Sequence, residues 1–299
     1  MPARLIPFLF VLLWSTGFIF SKIVAAHAEP LTFLTIRFGL ALLLIAGVAV
    51  ATRATWPDRR AAAHATVAGA LLHAGYLGPV FWAIAQGMSA GISALIVSMQ
   101  PILTAFLAAW WLREQVRPRH WLGLALGIAG VALVLWPRIA EGSADAQPST
   151  VGAALLGLAG ITLGSIYQKR FGGGHSLVSA GTFQFLGGTV VVALAALMLE
   201  QGRVEWTGEL IFALGWSVLV LSLGAISLLM LMIRRGAIAR VAAYFYLVPP
   251  TTALMAYAIF GETLVPLQFL GMLLACLAVF LATGVPMPAA GNNRRPDRG

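Results

Sequence analysis

Long apolar runs separated by short polar connections dominate the chain. Ten runs can be marked, most of them near the roughly 20 residues that a helix needs to cross a bilayer. They occupy residues 5–25, 31–51, 65–86, 91–112, 121–136, 151–167, 177–199, 210–233, 241–260 and 267–285. We therefore predict an all-α integral membrane protein with ten transmembrane helices.

Composition supports this class. Hydrophobic residues make up 60% of the 299 residues and charged residues 10%, whereas a soluble domain has about 25% charged residues. The net charge of +9 does not indicate nucleic-acid binding, because the basic residues lie in short connections rather than along one groove or helix face. We expect the lipid bilayer as the surroundings and no nucleic-acid partner.

A proline and a glutamate recur at the same spacing in the two halves of the chain. Pro101 precedes Glu114 by 13 residues, Pro249 precedes Glu262 by 13, and 148 residues separate the two glutamates. Pro118 with Pro266, Gly123 with Gly271, and Lys22 with Arg170 share this offset. We predict two five-helix repeats, 1–145 and 146–285, followed by a disordered cytoplasmic tail at 286–299.

The first run has a rival interpretation. Arg4, the apolar stretch and Ala26-His27-Ala28 resemble a secretory signal peptide with its cleavage site. Removing this run would leave the sixth run without its repeat partner, so we interpret it as a span.

Lysine and arginine indicate the orientation. With a cytoplasmic N-terminus, 15 of the 19 basic residues lie on the cytoplasmic side, three lie on the other side, and Arg37 lies within a span. This bias predicts that both termini are cytoplasmic, in the inner membrane of a bacterium. Because five spans per half is an odd number, the second repeat must be inverted relative to the first, as in many secondary transporters.

Several short motifs resemble a known family. Leu13-Trp14-Ser15-Thr16-Gly17-Phe18 is followed by Lys22, Glu29-Pro30 and Arg37, and the fourth and ninth runs end in Leu112-Arg113-Glu114 and Phe260-Gly261-Glu262. From residue 5 to 285 the chain is similar to the drug/metabolite transporter superfamily, specifically its EamA-type ten-helix bacterial exporters. The resemblance implies a central cavity lined mainly by the third, fourth, eighth and ninth helices, and also by the first and sixth. It also implies export of small metabolites such as amino acids. The first run lacks the mid-span glutamate of the small multidrug-resistance branch, which argues against that type of proton antiport.

Polar and aromatic residues inside the runs are the candidate substrate-binding residues. They are Trp14, His73, Tyr76, Gln100, Tyr244 and Tyr246. His73 and Tyr76 are three residues apart on one predicted helix face. His73 is either part of a cavity wall and a proton carrier, or a histidine satisfied by a neighbouring helix. Gln100 directly precedes a helix-kinking proline, and at most one of the two tyrosines is expected to face the cavity.

Prolines and charges supply the other candidates. Pro79, Pro101, Pro249 and Pro250 are predicted hinges, because proline removes a backbone donor and kinks a helix. Lys22, Arg37, Glu114 and Glu262 are candidate structural or gating charges. We expect the first two to position helices or rim the cavity. We favour for both glutamates a structural role, as carboxylates that bond amides of the following helix.

The sequence contains no phosphate-binding loop and no H-E-x-x-H, so we predict no cofactor, no metal and no enzymatic activity. The predicted function is a secondary transporter that exports small metabolites by alternating access, acting as a monomer or homodimer. A passive facilitator or channel is an alternative. An intramembrane enzyme that uses His73 is a weaker one.

Overall fold

A computed structural model describes residues 5–88, 93, 96–140, 147–260 and 264–283. These parts are helical, and the pairing of Ala28 with Val204 is an isolated antiparallel bridge. The helices are α1 Ile6–His27, α2 Pro30–Ala51, α3 Arg59–Ala85, α4 Gln100–Trp111, α5 Pro118–Ala140, α6 Pro148–Phe171, α7 Leu177–Leu199, α8 Gly208–Arg235, α9 Ile238–Ala243, α10 Val248–Phe260 and α11 Pro266–Thr283. Glu262 and the predicted tail at 286–299 lie outside the described residues.

Six helices of the described part are long and apolar enough to cross a membrane, namely α2, α3, α5, α6, α7 and α8. The predicted runs and these helices mostly differ by a few residues at their ends. The largest difference among them is at the start of α3, which begins at Arg59 rather than at residue 65. Asp58 explains this earlier start, because its Oδ1 accepts a hydrogen bond of 2.7 Å from the amide of Ala61 and so caps the helix. The helix therefore begins six residues before the predicted run.

Two of the predicted spans are interrupted near their prolines. Residues 98 and 99 form a turn immediately before α4, and Tyr244–Leu247 form a 3₁₀ turn between α9 and α10. Pro101 and Pro249 then stand in the first turn of the helix that follows, where the missing N–H of proline costs nothing. The described helices beside these interruptions, α4, α9 and α10, are each shorter than a bilayer crossing.

The helices of the first half pack closely on those of the second. Between α5 and α11 the backbones touch, since a Cβ added at Gly130 would lie 2.7 Å from the Gly271 carbonyl oxygen, and one at Gly271 would lie 2.6 Å from the Gly130 oxygen. Glycines at these two positions are what allow the backbones to approach so closely. Helix α2 pairs with α7, and α1 packs along α8 while α3 packs along α6.

Helices α3 and α8 each contain a π-helical segment. It covers Ala70–Ala74 in α3 and Ser217–Ala225 in α8. A π segment inserts extra residues into a turn and rotates the side chains that follow it. Both segments lie midway along their helices, next to the crevice described below.

At one end of the bundle the α1–α2 and α7–α8 connections bind each other. Glu29 Oε2 accepts hydrogen bonds from the amides of Gln201 and Arg203, at 3.0 and 2.8 Å. Glu200 in turn accepts the amides of Leu31 and Thr32 at 2.9 and 2.7 Å, and so caps the N-terminus of α2 from another helix. We call residues 28–32 and 200–204 the loop clamp.

The hydrogen bonds from the loop clamp lower the pKa of Glu29 below its ordinary value of 4.5, with the amide of Arg203 as the largest cause. The Arg203 guanidinium, 3.4 Å from Glu29 Oε1, acts in the same direction. The carboxylate is therefore the form that the folded clamp binds.

Candidate functional site

A crevice lies between α1, α2, α3 and α8 and encloses about 650 Å³ of empty space, its open mouth included. It is lined by Trp14, Gly17, Phe20, Ser21, Val24, Phe33, Arg37, Tyr76, Leu77, Val80, Phe81, Ile84, Ser217, Leu221 and Ile226. Most of these side chains are apolar or aromatic. The polar groups are one guanidinium and a few hydroxyls, a composition typical of small-molecule sites.

Aromatic rings form the deep end of the crevice. Trp14 stacks on Tyr76 with ring centroids 6.3 Å apart and planes 9° apart. Behind it, Trp14 meets Phe245 edge-on at 5.5 Å and Phe10 at 5.3 Å. This cluster joins α1 and α3 to the 3₁₀ turn between α9 and α10. The predicted candidates Trp14 and Tyr76 are therefore brought together here.

Arg37 is the cationic group among the described lining residues, and the residue is only 5% exposed. Its Nε donates a hydrogen bond of 2.9 Å to Ser222 Oγ in the π segment of α8. Its Cζ lies 5.6 Å from the ring centroid of Phe38. The prediction placed Arg37 in a helix-positioning role or at the cavity rim, and the structure places it inside the bundle, in the crevice wall.

The crevice continues to one end of the bundle. A second, smaller space of about 220 Å³ shares Ser21, Val24, Phe81 and Ile84 with it. That space reaches Ala25, Pro30 and Ala85, where α1 ends, α2 begins and α3 ends. The path from Arg37 thus leads to the end of the bundle that carries the loop clamp.

His73 lies away from this crevice, although it is only three residues from Tyr76. Its ring stacks on Phe185 of α7, with centroids 4.6 Å apart and planes 5° apart, and neither ring nitrogen bonds a described residue. Tyr76 points instead toward α1. His73 lies inside the π segment Ala70–Ala74, and Tyr76 lies in the α-helical turn that follows it. The spacing of an ordinary helix therefore does not hold between them, and the predicted shared face is not observed.

The remaining substrate-binding candidates pack elsewhere. Gln100 is 1% exposed and donates to Thr104 Oγ1 at 2.8 Å, while its Oε1 has no partner among the described residues. Tyr246 is fully buried against α5, where its hydroxyl donates to the Leu124 carbonyl at 3.1 Å. Tyr244 meets Phe8 edge-on at 6.5 Å. None of the three lines the crevice.

Glu114 bonds the start of a helix, but not of the one that follows it. Its Oε1 accepts the amide of Ile238 at 3.1 Å, at the first residue of α9 in the other half of the chain. Its Oε2 has no partner among the described atoms. The Lys22 side chain and Glu262 lie outside the described residues.

Pro79 leaves the carbonyl of Gly75 without a helical donor, because proline has no N–H to offer it. That carbonyl oxygen lies against α6, and a Cβ added at Gly160 would be 2.3 Å from it. A glycine on α6 is therefore what lets the two backbones approach at this point.

Several residues of the site were missed from the sequence. Phe245 and Phe10 continue the aromatic cluster, and Ser222 holds the guanidinium of Arg37. A phenylalanine or serine inside an apolar run gives no signal of its role. Only the assembly of α1, α2 and α8 around one space reveals it.

A metal centre or hydrolytic pair is not found in the part of the chain that the structure describes. No three His, Cys, Asp or Glu side chains come together there. The buried His73 has no serine partner within the described residues. The lining is suited to binding a small molecule.

Comparison with known proteins places the chain among transporters. It is 26% identical to an uncharacterized inner membrane transporter, YedA, of Escherichia coli K12, over 92% of this chain and 89% of YedA. It is 28% identical to the uncharacterized transporter YvbV of Bacillus subtilis, over 93% and 90% of the two chains. A probable amino-acid metabolite efflux pump of Salmonella typhimurium is 25% identical over 91% of this chain and 92% of that protein.

The fold and the family model agree with these relatives. A solved crystal structure superimposes with a TM-score of 0.76, covering 93% of this chain and 95% of that one at 20% identity. The model of the EamA-like transporter family matches twice, at residues 2–136 and 149–284. This protein is a membrane transporter that belongs to the EamA-like transporter family.

Proposed function

We propose that this protein is a secondary transporter that exports small metabolites, amino acids or related compounds, across the bacterial inner membrane by alternating access. The observation that carries the proposal is the crevice. It runs from Trp14 and the buried Arg37 to one end of the bundle, between helices from both halves of the chain. A carrier in one of its two states has such a site, closed at one end and open at the other.

The sequence repeat supports the proposed mechanism. The family model matches each half once, and the close pairs α2–α7 and α5–α11 each join one helix from either half. The helix interruptions precede Pro101 and Pro249, and these two prolines are separated by the repeat offset of 148 residues. We propose a ten-helix inverted repeat in which the two halves rock about these interruptions and about Pro79 and Pro250.

We further propose that the crevice faces the outside of the cell in this conformation. The basic residues at the opposite end, such as Arg59 and Arg60 in the first turn of α3, mark the cytoplasmic side by the positive-inside rule. The loop clamp and the crevice mouth then lie on the outer side. Export is the direction suggested by the efflux pump of Salmonella typhimurium, together with the family resemblance.

Counterflow in proteoliposomes tests the carrier. Purified protein is reconstituted with an unlabelled amino acid inside, and uptake of the same labelled compound is followed with and without a pH gradient. Transient accumulation of label above equilibrium requires exchange by a carrier, and we expect it for at least one compound of an amino-acid and metabolite panel. Dependence on the pH gradient then separates proton-coupled from facilitated transport.

Trp14→Ala should reduce this counterflow at least about tenfold, because it removes the aromatic wall on which Tyr76 stacks. The matched control is Trp136→Ala, since Trp136 is 56% exposed on the outside of α5 and should leave transport unchanged. Equilibration of label without transient accumulation would contradict a carrier and favour the passive facilitator or channel. The same counterflow measured with His73→Ala and Gln100→Ala tests the other sequence candidates.

A further inference from the structure

The guanidinium of Arg37 has free hydrogen-bond donors inside the crevice. Nε is occupied by Ser222 Oγ, but Nη1 and Nη2 donate to no described residue. Some side-chain nitrogens and oxygens of this protein are buried from solvent and have no hydrogen-bond partner, but Nη1 and Nη2 of Arg37 are not among them. Since Arg37 belongs to the crevice lining, these two nitrogens are the donors that it can offer to a molecule bound there.

No described carboxylate neutralises this charge. Glu29 binds Arg203, Glu200 caps α2, and Glu114 caps α9. Asp58 caps α3, and Glu205 and Glu209 lie beside His27 at the end of the bundle. Arg37 is therefore a buried cation whose counter-charge does not come from the described acids. A buried charge is costly unless it is paired.

The described residues of the crevice wall provide no carboxylate to pair with a cation. Among the described lining residues, the polar groups besides Arg37 are the hydroxyls of Ser21, Tyr76 and Ser217 and the indole N–H of Trp14, and no side chain is acidic. An ammonium group bound there would lie near a guanidinium of the same sign. An apolar or aromatic body would instead meet the faces of Trp14, Phe20 and Phe81.

We propose that Arg37 is the anchor of the substrate and that it binds a carboxylate, with Nη1 and Nη2 as a two-pronged donor. With Nε held by Ser222, the outward pair of nitrogens matches the two oxygens of a carboxylate. The substrate class is a small carboxylic acid with an apolar or aromatic body, and its amino group, where present, contributes little. This inference rests on the proposed transport function and assigns the chemistry that the site selects.

A matched set of three probes tests it. Phenylalanine, 3-phenylpropanoate and 2-phenylethylamine share one ring and chain length, and they carry both charged groups, the carboxylate alone and the amine alone. Binding to the purified protein in detergent is measured by the change in tryptophan fluorescence. Inhibition of counterflow by the same three compounds is measured in proteoliposomes. We expect phenylalanine and 3-phenylpropanoate to bind with similar affinity, and 2-phenylethylamine to bind at least about 30-fold more weakly.

Variants of Arg37 test whether this residue is the source of the preference for a carboxylate over an amine. Arg37→Gln should weaken carboxylate binding about 30-fold or more and abolish the preference for 3-phenylpropanoate over the amine. Arg37→Lys should keep the preference at reduced affinity, because an ammonium retains the charge but not the two-pronged geometry. Arg60→Gln is the matched control, because Arg60 is exposed in the first turn of α3, and it should change the binding of neither probe.

Ser222→Ala keeps the charge of Arg37 and removes only the hydrogen-bond partner of its Nε. It therefore tests the inference even if the Arg37 variants fail to fold. It should weaken carboxylate binding less than Arg37→Gln does and should leave the selectivity in place. Equal or tighter binding of 2-phenylethylamine by the wild-type protein would overturn the inference while leaving transport intact. Carboxylate-selective binding without counterflow would instead contradict the proposed function and retain the Arg37 site.

Discussion

At the scale of single residues, Glu29 couples the loop clamp to pH. Its carboxylate is held by the amides of Gln201 and Arg203, and its pKa in the folded protein lies below the ordinary 4.5. A lowered folded-state pKa means that the stabilisation is complete above about pH 4.5 and is lost as the pH falls through the folded value. Glu29→Gln should therefore lower the Tm at pH 7 and reduce the loss of Tm between pH 5 and pH 3. The measurement is a series of thermal unfolding curves in detergent.

Glu209→Gln provides the comparison, because Glu209 lies on the same side of the bundle and its side chain is 76% exposed. Its Tm profile should follow that of the wild type. Parallel profiles for Glu29→Gln and wild type would show that the clamp carboxylate does not couple to folding.

Individual functional residues were predictable only where their chemistry is unusual inside a membrane. Trp14, Tyr76 and Arg37 stood out as large or charged residues in apolar runs, and all three line the crevice. His73 stood out for the same reason but packs against Phe185, and the π segment that contains it was not visible in the sequence. Nothing about Ser222 distinguished it from other serines, since its role exists only through Arg37, 185 residues away.

At the scale of helices, glycine contacts hold α5 against α11. A Cβ at Gly130 would lie 2.7 Å from both the Ala275 nitrogen and the Gly271 oxygen. Gly130→Ala should therefore push two backbones apart and destabilise the protein by roughly 1–3 kcal/mol. Gly47→Ala on α2 is the matched control, because no atom lies within 4 Å of its added Cβ, and the change should be neutral or slightly stabilising.

Unfolding of both glycine variants by heat and by denaturing detergent measures this difference. Equal stability of the two variants would contradict the close approach of α5 and α11. Glycines in the fifth and tenth runs are typical of close helix packing, but the sequence does not indicate which helix is the partner.

Helix ends were harder to predict than helix cores. Hydropathy located the centres of the six long helices, because burial in lipid requires an apolar stretch of a given length. Glu200 caps α2 and Glu114 caps α9 across the molecule, and Lys169 bonds the carbonyl oxygens of Ile233 and Gly236 near the end of α8. Such contacts between distant segments set the ends and leave no local pattern to read.

At the scale of the whole molecule, the proposed topology makes a prediction about which surfaces face the same side. Five proposed spans separate Arg60 from Glu205, so these residues should lie on opposite sides of the membrane. In a Cys276→Ser background, Glu205→Cys should react with an impermeant maleimide applied to intact cells. Arg60→Cys should react only in inverted vesicles. Both positions are exposed, so access rather than burial decides the reaction.

Ile84→Cys adds the crevice to the same experiment. Ile84 lies where the crevice and its smaller continuation meet, so its cysteine should react from the side of Glu205. Because alternating access closes one side before it opens the other, a transported compound that shifts the protein toward the opposite state should slow this reaction without changing that of Glu205→Cys. Labelling of residues 60 and 205 from one side would contradict the count of five spans. Labelling of residue 84 from the side of residue 60 would place the crevice mouth in the cytoplasm, and export would then begin rather than end in the conformation described.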